Sequence, residues 1–346
     1  TYKNGESKLP LSEVNKLGIV AHPLAQEIGL ETGDKIVNVS GNEVEDFSDV
    51  FNSDVILGEN NYYTIQRNGE TLTRVIPNDL YNKIIDGLNR LGKDLSKVTL
   101  DDLQPVDEFH IRGDAATKEL IELAEFTADM HILDVGCGIG GSTRRLSHET
   151  GCRVTGIDLS DEYIDAADRL TRLLNMQERV RFHACSALEL PFKDNSFDGV
   201  WSLQMNMNVE DKQAWLNETY RVLKPGGRAI FYEVCAHENT HIHFPVPWAQ
   251  DSSMSFLVPP ESFREIIASA GFEIAVWNDK TDLAQEAFAN ATEPVGDPNL
   301  PILGVYLLVG SDIQTKAYNL RRNLDEQCVS LIESVAVKPS LGASST

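Results

Sequence analysis

The chain has 346 residues, 53 of them acidic and 30 Lys or Arg, for a formal net charge of −23. That excess of carboxylates argues against a nucleic-acid or anionic-membrane partner, because phosphate binding needs clustered cations. Apolar residues make up 42% of the chain, enough for a sizeable core, and no apolar run approaches the ~20 residues that a membrane-spanning helix needs. The five cysteines (Cys137, Cys152, Cys185, Cys235, Cys328) form no C-x-x-C pair. This usage fits reduced thiols and a cytoplasmic location better than a disulfide framework.

Residues 1–79 read as a small β-rich unit. Leu17 to Val20 is a short apolar strand, and Pro23 to Leu30 a helix of one to two turns ending at Gly29. Lys35 to Ser40 alternates like a half-buried strand. Two further runs, Tyr62 to Arg67 and Leu72 to Ile76, flank Asn68-Gly69, the dipeptide of a primed hairpin turn. These residues together resemble a PDZ domain of the kind found in site-2 proteases. The resemblance implies a loop at Leu17–Val20 that receives a peptide carboxylate while the peptide adds a strand to the sheet edge. No His-Glu-x-x-His motif accompanies it.

Residues 80–113 read as a helical lead or lid segment. Leu80 to Leu91 carries a 3.6-period apolar stripe. Asp101 to Pro105 reads as a break, and Phe109 to Gly113 as a polar, glycine-broken stretch. Residues 114–338 then alternate in helix and strand. A helix is expected over Asp114 to Ala124 and a buried strand over His131 to Val135. Four glycines, Gly136, Gly138, Gly140 and Gly141, follow, with a helix start at Ser142-Thr143. Downstream strands are expected at Arg153–Asp158, Val180–Ala184, Phe197–Ser202, Arg228–Cys235 and Phe272–Trp277. The helices between them are expected at Asp161–Leu174, Lys212–Leu223 and Pro260–Ala270. Thr315 to Val335 reads as helical, the run from 301 to 310 as either strand or helix, and 339–346 as a flexible tail. Such alternation gives an α/β doubly wound sheet with its site at the strand C-termini.

The glycine spacing satisfies G-x-G-x-x-G, which by itself suggests a dinucleotide. Asp134, just before the first glycine, changes that reading. A carboxylate there crowds a pyrophosphate and suits a ligand carrying an ammonium group. Asp158 follows Gly136 at the spacing expected of an acid that holds a ribose diol. Binding of a reduced nicotinamide dinucleotide is the competing expectation.

Asp134 to Gly141, Gly156-Ile157-Asp158, Leu190-Pro191-Phe192, Phe197-Asp198 and Leu223 to Gly227 fall in the order of the motifs of class I S-adenosylmethionine-dependent methyltransferases. The resemblance spans roughly residues 81–335 and implies a seven-stranded Rossmann-like sheet with S-adenosylmethionine as cofactor. By that resemblance the loop with Asp134, Gly136, Gly138 and Gly140 wraps the methionine part, Asp158 binds both ribose hydroxyls, and Leu159 packs on adenine. Ser186 and Ala187 flank adenine, with Ser186 standing where many relatives have an acid, and Gln204 lines the methyl-transfer mouth. Pro105 to Gly113, Met207 to Lys212 and Pro245 to Ala249 resemble the branch containing sarcosine and dimethylglycine methyltransferases. That implies a small-molecule acceptor, an amine or amino acid.

His110, Arg112 and His243 are the candidates for work at the acceptor, with Arg112 expected to clamp a carboxylate. Trp248 is a candidate for closing the acceptor pocket. Cys235, His237, His241 and His243 have local spacing that raises a metal site, but methyl transfer needs no metal and none is expected. The alternative function is a peptide-binding adaptor whose methyltransferase fold is inactive.

Overall fold

A computed structural model of the chain describes residues 14–16, 18–19, 30–39, 42–43, 62–75, 79–238, 240–294 and 300–340. The chain divides into two compact units, residues 1–90 and 91–346.

The smaller unit holds strands β1 (Lys35–Val39), β2 (Asn42–Glu43), β3 (Tyr62–Arg67) and β4 (Glu70–Val75), and helix α1 (Leu80–Arg90). They form a four-stranded sheet of order β2-β1-β3-β4. Arg67 pairs with Glu70, so Asn68 and Gly69 are the two-residue loop, both at positive φ (52° and 84°), as a primed turn requires. Arg67 also forks onto Asp34 through two 2.8 Å bonds. Asp34 is buried, and this pairing neutralises it. The expected strand ends Leu17 and Val20, the segment Pro23 to Gly29, Ile76 and the tail 341–346 lie outside the described residues.

The larger unit begins with α2 (Leu100–Asp107) and α3 (Gly113–Ala124). The expected break at Asp101–Pro105 is in fact helix. Thr99 and Asp102 close a reciprocal capping box, and Leu103 and Val106 are wholly buried. Burial and cap together outweigh the one backbone bond that Pro105 removes. Then come β5 (His131–Val135), α4 (Gly141–Thr150), β6 (Arg153–Asp158), α5 (Asp161–Leu173), β7 (Val180–Ala184), β8 (Phe197–Leu203), α6 (Lys212–Val222) and β9 (Leu223–Ala236). The unit ends with α7 (Pro260–Ser269), β10 (Glu273–Asp279), α8 (Thr281–Phe288), the single turn α9 (Tyr306–Val309), α10 (Ile313–Asp325) and β11 (Val329–Val337).

These strands form one seven-stranded sheet of order β10-β11-β9-β8-β5-β6-β7. Strand β11 runs antiparallel to both its neighbours, so the sheet is mixed rather than wholly parallel. This corrects the helix expected over Thr315–Val335. The helix stops at Asp325, Gln327 takes positive φ (55°), and a strand follows. Val329 to Ala336 is buried on both faces, so it shows no period-2 alternation to betray it.

Successive strand residues feed opposite cores, as the pleat demands. Ile132, Trp201, Ile230 and Leu331 pack with Leu120, Leu146 and Leu320 of α3, α4 and α10. Their neighbours Leu133, Val200, Phe231 and Ile332 pack with Trp215, Phe263 and Ile267 of α6 and α7. Both faces are covered, and the loops at the C-terminal edge of the parallel strands are left to build a site. Among the described residues no helix is long and apolar enough to cross a membrane.

Candidate active site

Residues directly following β5, β6, β7 and β8 line a cavity of about 750 Å3. That size is in the range that holds a drug-sized ligand, roughly 300–1,000 Å3. Gly136 and Gly138 lie on its wall. Gly138 has φ +55°, and a Cβ built there meets no atom within 4 Å, so the loop presents bare backbone to the cavity. The nitrogens of Gly136 and Cys137 both reach the Ile157 carbonyl at 2.9 Å, which ties the glycine turn to the end of β6. Helix α4 begins at Gly141, one residue before the expected start at Ser142-Thr143, and its N-cap position is Gly140 (φ +79°), which has no side chain and where a Cβ would lie 2.4 Å from the Phe182 ring. Gly140 itself is not on the cavity wall.

Asp158 is on the wall. Its Oδ2 accepts from the Gly138 nitrogen and its Oδ1 from the Ser160 nitrogen, both at 3.0 Å. The carboxylate is thus fixed between two loops with lone pairs left for a ligand. Leu159 beside it is 79% exposed, a large apolar side chain held at the rim. Ser186 and Ala187 line the same end.

Asp134 lies beneath the loop and off the cavity wall. It accepts from Thr143 Oγ1 at 2.6 Å, and burial pushes its carboxyl up to about 7. Its visible work is to anchor the first turn of α4. Under the same loop, Arg144 is wholly buried and reaches Asp107 Oδ1 at 2.7 Å and the Ile139 carbonyl at 2.8 Å.

At the opposite end, Gln204 takes positive φ (53°), and its nitrogen donates to the Tyr232 carbonyl at 2.8 Å. Its Nε2 is buried and meets no hydrogen-bond partner among the described residues. The following loop hangs on Glu233, whose Oε2 accepts from the Met205 and Asn206 nitrogens at 2.8 Å and whose Oε1 accepts from Ser202 Oγ at 3.0 Å. Burial pushes Glu233 up to about 8. Glu233 is absent from the sequence reading, since one acid inside an apolar strand carries no pattern.

His110 lines the cavity. Its Nε2 lies 3.0 Å from both the Gly113 carbonyl and Thr117 Oγ1. Thr117 Oγ1 already donates to Glu108 Oε2 at 2.7 Å, so Nε2 carries the proton and Nδ1 is the acceptor nitrogen. Burial lowers the ring to about 4, so it is neutral at physiological pH and a weak base. Arg112 and His243 are off the wall. Arg112 forks onto Glu119 at 2.8 and 2.5 Å. His243 Nε2 lies 2.6 Å from Glu326, and the ligand atoms of His243, Glu326 and Cys328 fall within 4.8 Å of one another. Cys235 is instead buried within β9. Trp248 is on the wall, together with Tyr163, Leu308 and Lys316, which the sequence did not single out.

Residues 133–231 match a family model described as a methyltransferase domain. Methyltransferase GfsG of Streptomyces halstedii is 26% identical over 209 residues, which is 60% of this chain and 72% of that protein. A geranyl diphosphate methyltransferase solved with S-adenosylmethionine superposes with a TM-score of 0.53 at 19% identity, covering 65% of this chain and 84% of that one. The larger unit has the class I S-adenosylmethionine-dependent methyltransferase fold. A Haemonchus contortus phosphoethanolamine N-methyltransferase, bound to S-adenosylhomocysteine and its phosphomonomethylethanolamine ligand, shares the fold (TM-score 0.56, 20% identity, 78% of this chain and 63% of that one). Methyltransferases of this fold use S-adenosylmethionine. The cavity fits such a cofactor at two points: the open backbone at Gly138, where no side chain intervenes, and the fixed Asp158 carboxylate.

Proposed function

We propose that the larger unit transfers a methyl group from S-adenosylmethionine to a small molecule. The observation that carries this reading is the single cavity that joins the bare Gly136–Gly138 loop and the Asp158 carboxylate to a second, largely apolar end at Gln204, Met207 and Trp248. In this reading the glycine loop holds the aminoacyl part of the cofactor. Asp158 accepts from the ribose hydroxyls, and Leu159 with Ser186 and Ala187 encloses adenine. When bound, the cofactor supplies a methyl group already activated by a sulfonium, so the protein's share is orientation and exclusion of water. Gln204 stands at the transfer mouth. His110, neutral and held by Thr117, offers Nδ1 as an acceptor that orients an O–H or N–H rather than as a strong base.

A sarcosine-like acceptor needs a cation for its carboxylate. Arg112 is committed to Glu119, and Lys316, the one Lys or Arg among the described residues on the cavity wall, lies 3.0 Å from Asp312. The apolar wall therefore favours an acceptor with an apolar body. Calorimetric titration of the full chain with S-adenosylmethionine, S-adenosylhomocysteine and a reduced nicotinamide dinucleotide tests the reading. Binding of the first two and not the third is expected. The reverse pattern overturns it and restores the dehydrogenase alternative.

For the smaller unit we infer a PDZ-like peptide-binding module. The primed hairpin supports it, as does the pair of backbone bonds joining Ile19 to Gly33 and Asp34 (Ile19 N to Asp34 O 2.9 Å, Gly33 N to Ile19 O 2.8 Å). Titration of the full chain with peptides carrying free or amidated C-termini tests it. No preference for the free carboxylate overturns the inference.

A further inference from the structure

Beside the main cavity lies a second one of about 200 Å3. Phe109, Gln204, Pro247 and Trp248 line both. Its far wall is apolar: Phe288, Val305, and Ile313, Ala317 and Leu320, which share one face of α10 at helical spacing. The divide between the cavities is built with care. Val246 and Ala249 exchange backbone bonds at 2.8 and 3.1 Å, forming a tight turn that projects Pro247 and Trp248. The indole nitrogen of Trp248 is committed to Ser255 Oγ at 3.0 Å, and its carbonyl accepts from Asn208. The turn is tied to α10 by Asn319, which donates to the Pro245 carbonyl at 3.0 Å. Among the described residues, Gln204 is the one side chain common to both cavities with a hydrogen-bonding group that meets no partner, its buried Nε2.

A buried donor left unmade costs roughly 1–3 kcal/mol, so its retention asks for a partner. A dry apolar cavity of about 150 Å3 is known to admit a benzene ring. We propose that the side cavity receives a ring-sized apolar end of the methyl acceptor, and that Gln204 Nε2 donates to an oxygen on that group where the two cavities meet. The acceptor is then an apolar cyclic molecule bearing a hydroxyl or carbonyl, with the methylated atom on the main-cavity side. This rests on the methyltransferase reading for the identity of the main cavity, but the side cavity can be tested separately.

The probes are p-cresol and toluene, titrated into the full chain with and without S-adenosylhomocysteine. Wild-type protein is expected to bind p-cresol about fivefold more tightly than toluene, one net hydrogen bond. Gln204→Leu removes that preference and leaves toluene binding in place. Ala317→Phe fills the cavity from α10 and weakens both probes at least tenfold, while the affinity for S-adenosylmethionine stays within twofold. Ala317→Leu gives a milder version of the same result should the phenylalanine variant fail to fold. Equal probe affinity in wild type and the Ala317 variants, or no probe binding to wild type, overturns the proposal even where S-adenosylmethionine binds. Loss of S-adenosylmethionine binding by the wild type overturns the methyltransferase reading instead, and the cofactor-free titrations still decide the side cavity.

Discussion

Arg144 and Asp107 form an ion pair at 2.7 Å in which neither side chain is more than 4% exposed. The pair joins the lead helix α2 to the helix that follows the glycine loop. The Asp107 backbone also presses on that loop, since a Cβ on Gly141 would lie 2.2 Å from the Asp107 carbonyl oxygen. Asp107 is on the cavity wall as well, so the lead segment helps to build the glycine-loop end of the cavity.

Asp107→Ala therefore leaves a guanidinium buried and uncompensated. Removing one partner of such a pair costs about 3–5 kcal/mol. Urea unfolding followed by tryptophan fluorescence reads this loss. The four tryptophans (Trp201, Trp215, Trp248, Trp277) all lie in the larger unit, so the signal reports on that unit alone. A loss under 1 kcal/mol refutes the assignment.

The glycines of one loop are expected to fail in different ways. Gly141→Ala drives a methyl group into the Asp107 backbone and is expected to lower the melting temperature and displace α2. Gly138→Ala meets no atom, so its stability cost is only that of a positive φ, about 1 kcal/mol. Its methyl group instead points into open space on a cavity-lining loop, and a loss of S-adenosylmethionine affinity with little change in melting temperature is expected. Calorimetry and thermal unfolding of the two variants separate these outcomes.

Asp158→Asn tests the ribose contact. The amide keeps the shape but donates with one arm, so it opposes either the Gly138 or the Ser160 nitrogen and weakens what a diol receives. A hydrogen bond to a charged group contributes about 1.5–3 kcal/mol, so a loss of roughly 10- to 150-fold in cofactor affinity is expected. An unchanged affinity for S-adenosylhomocysteine removes Asp158 from the site.

The glycine turn, Asp158 and the strand–helix alternation were legible because each shows in local spacing. The elements that escaped were those set by distant contacts. Helix α2 carried a readable capping box at Thr99 and Asp102, yet Pro105 masked it, and only the burial of Leu103 and Val106 decides the matter. Strand β11 is buried on both faces, carries Ser330, Glu333 and Ser334 among its apolar residues, and follows a helix after three residues, so neither its type nor its start has a sequence signal. Arg112 lies one residue from Ile111 and two from His110, but its fork onto Glu119 is a contact that chain order does not announce. Glu233 and the orphaned Gln204 amide become visible only once β8 and β9 are side by side.

Glu233 gives a pH signature. Its folded value of about 8 stands above the ordinary glutamate value because burial disfavours the charge. Between the two values the folded state binds more protons than the unfolded one, so this group's stabilisation is full at acid pH and is lost as pH rises toward 8. Glu233→Gln mimics the protonated form. The variant is expected to lie close to wild type near pH 5 and to exceed it by on the order of 4 kcal/mol at pH 9 in the fluorescence-monitored unfolding. A constant difference across pH rejects the role of the charge.

His110 runs in the opposite direction. Burial lowers it to about 4, below its unfolded value of 6.5, so the unfolded chain takes up the proton first as pH falls. Its contribution to stability is complete above pH 6.5 and is lost as pH drops through 6.5 toward 4. In the proposed reading the same depression keeps the ring neutral throughout pH 5–8, so that Nδ1 can accept a hydrogen bond from the methyl acceptor over that whole range. Methyl transfer by the wild type is then expected to show no inflection near pH 6.5 that His110→Asn removes. His110→Asn is expected to raise KM for the acceptor more than it lowers kcat, since it removes an orienting contact rather than a base. An inflection near 6.5 that disappears in the variant makes His110 the proton acceptor and its burial incomplete in the working enzyme.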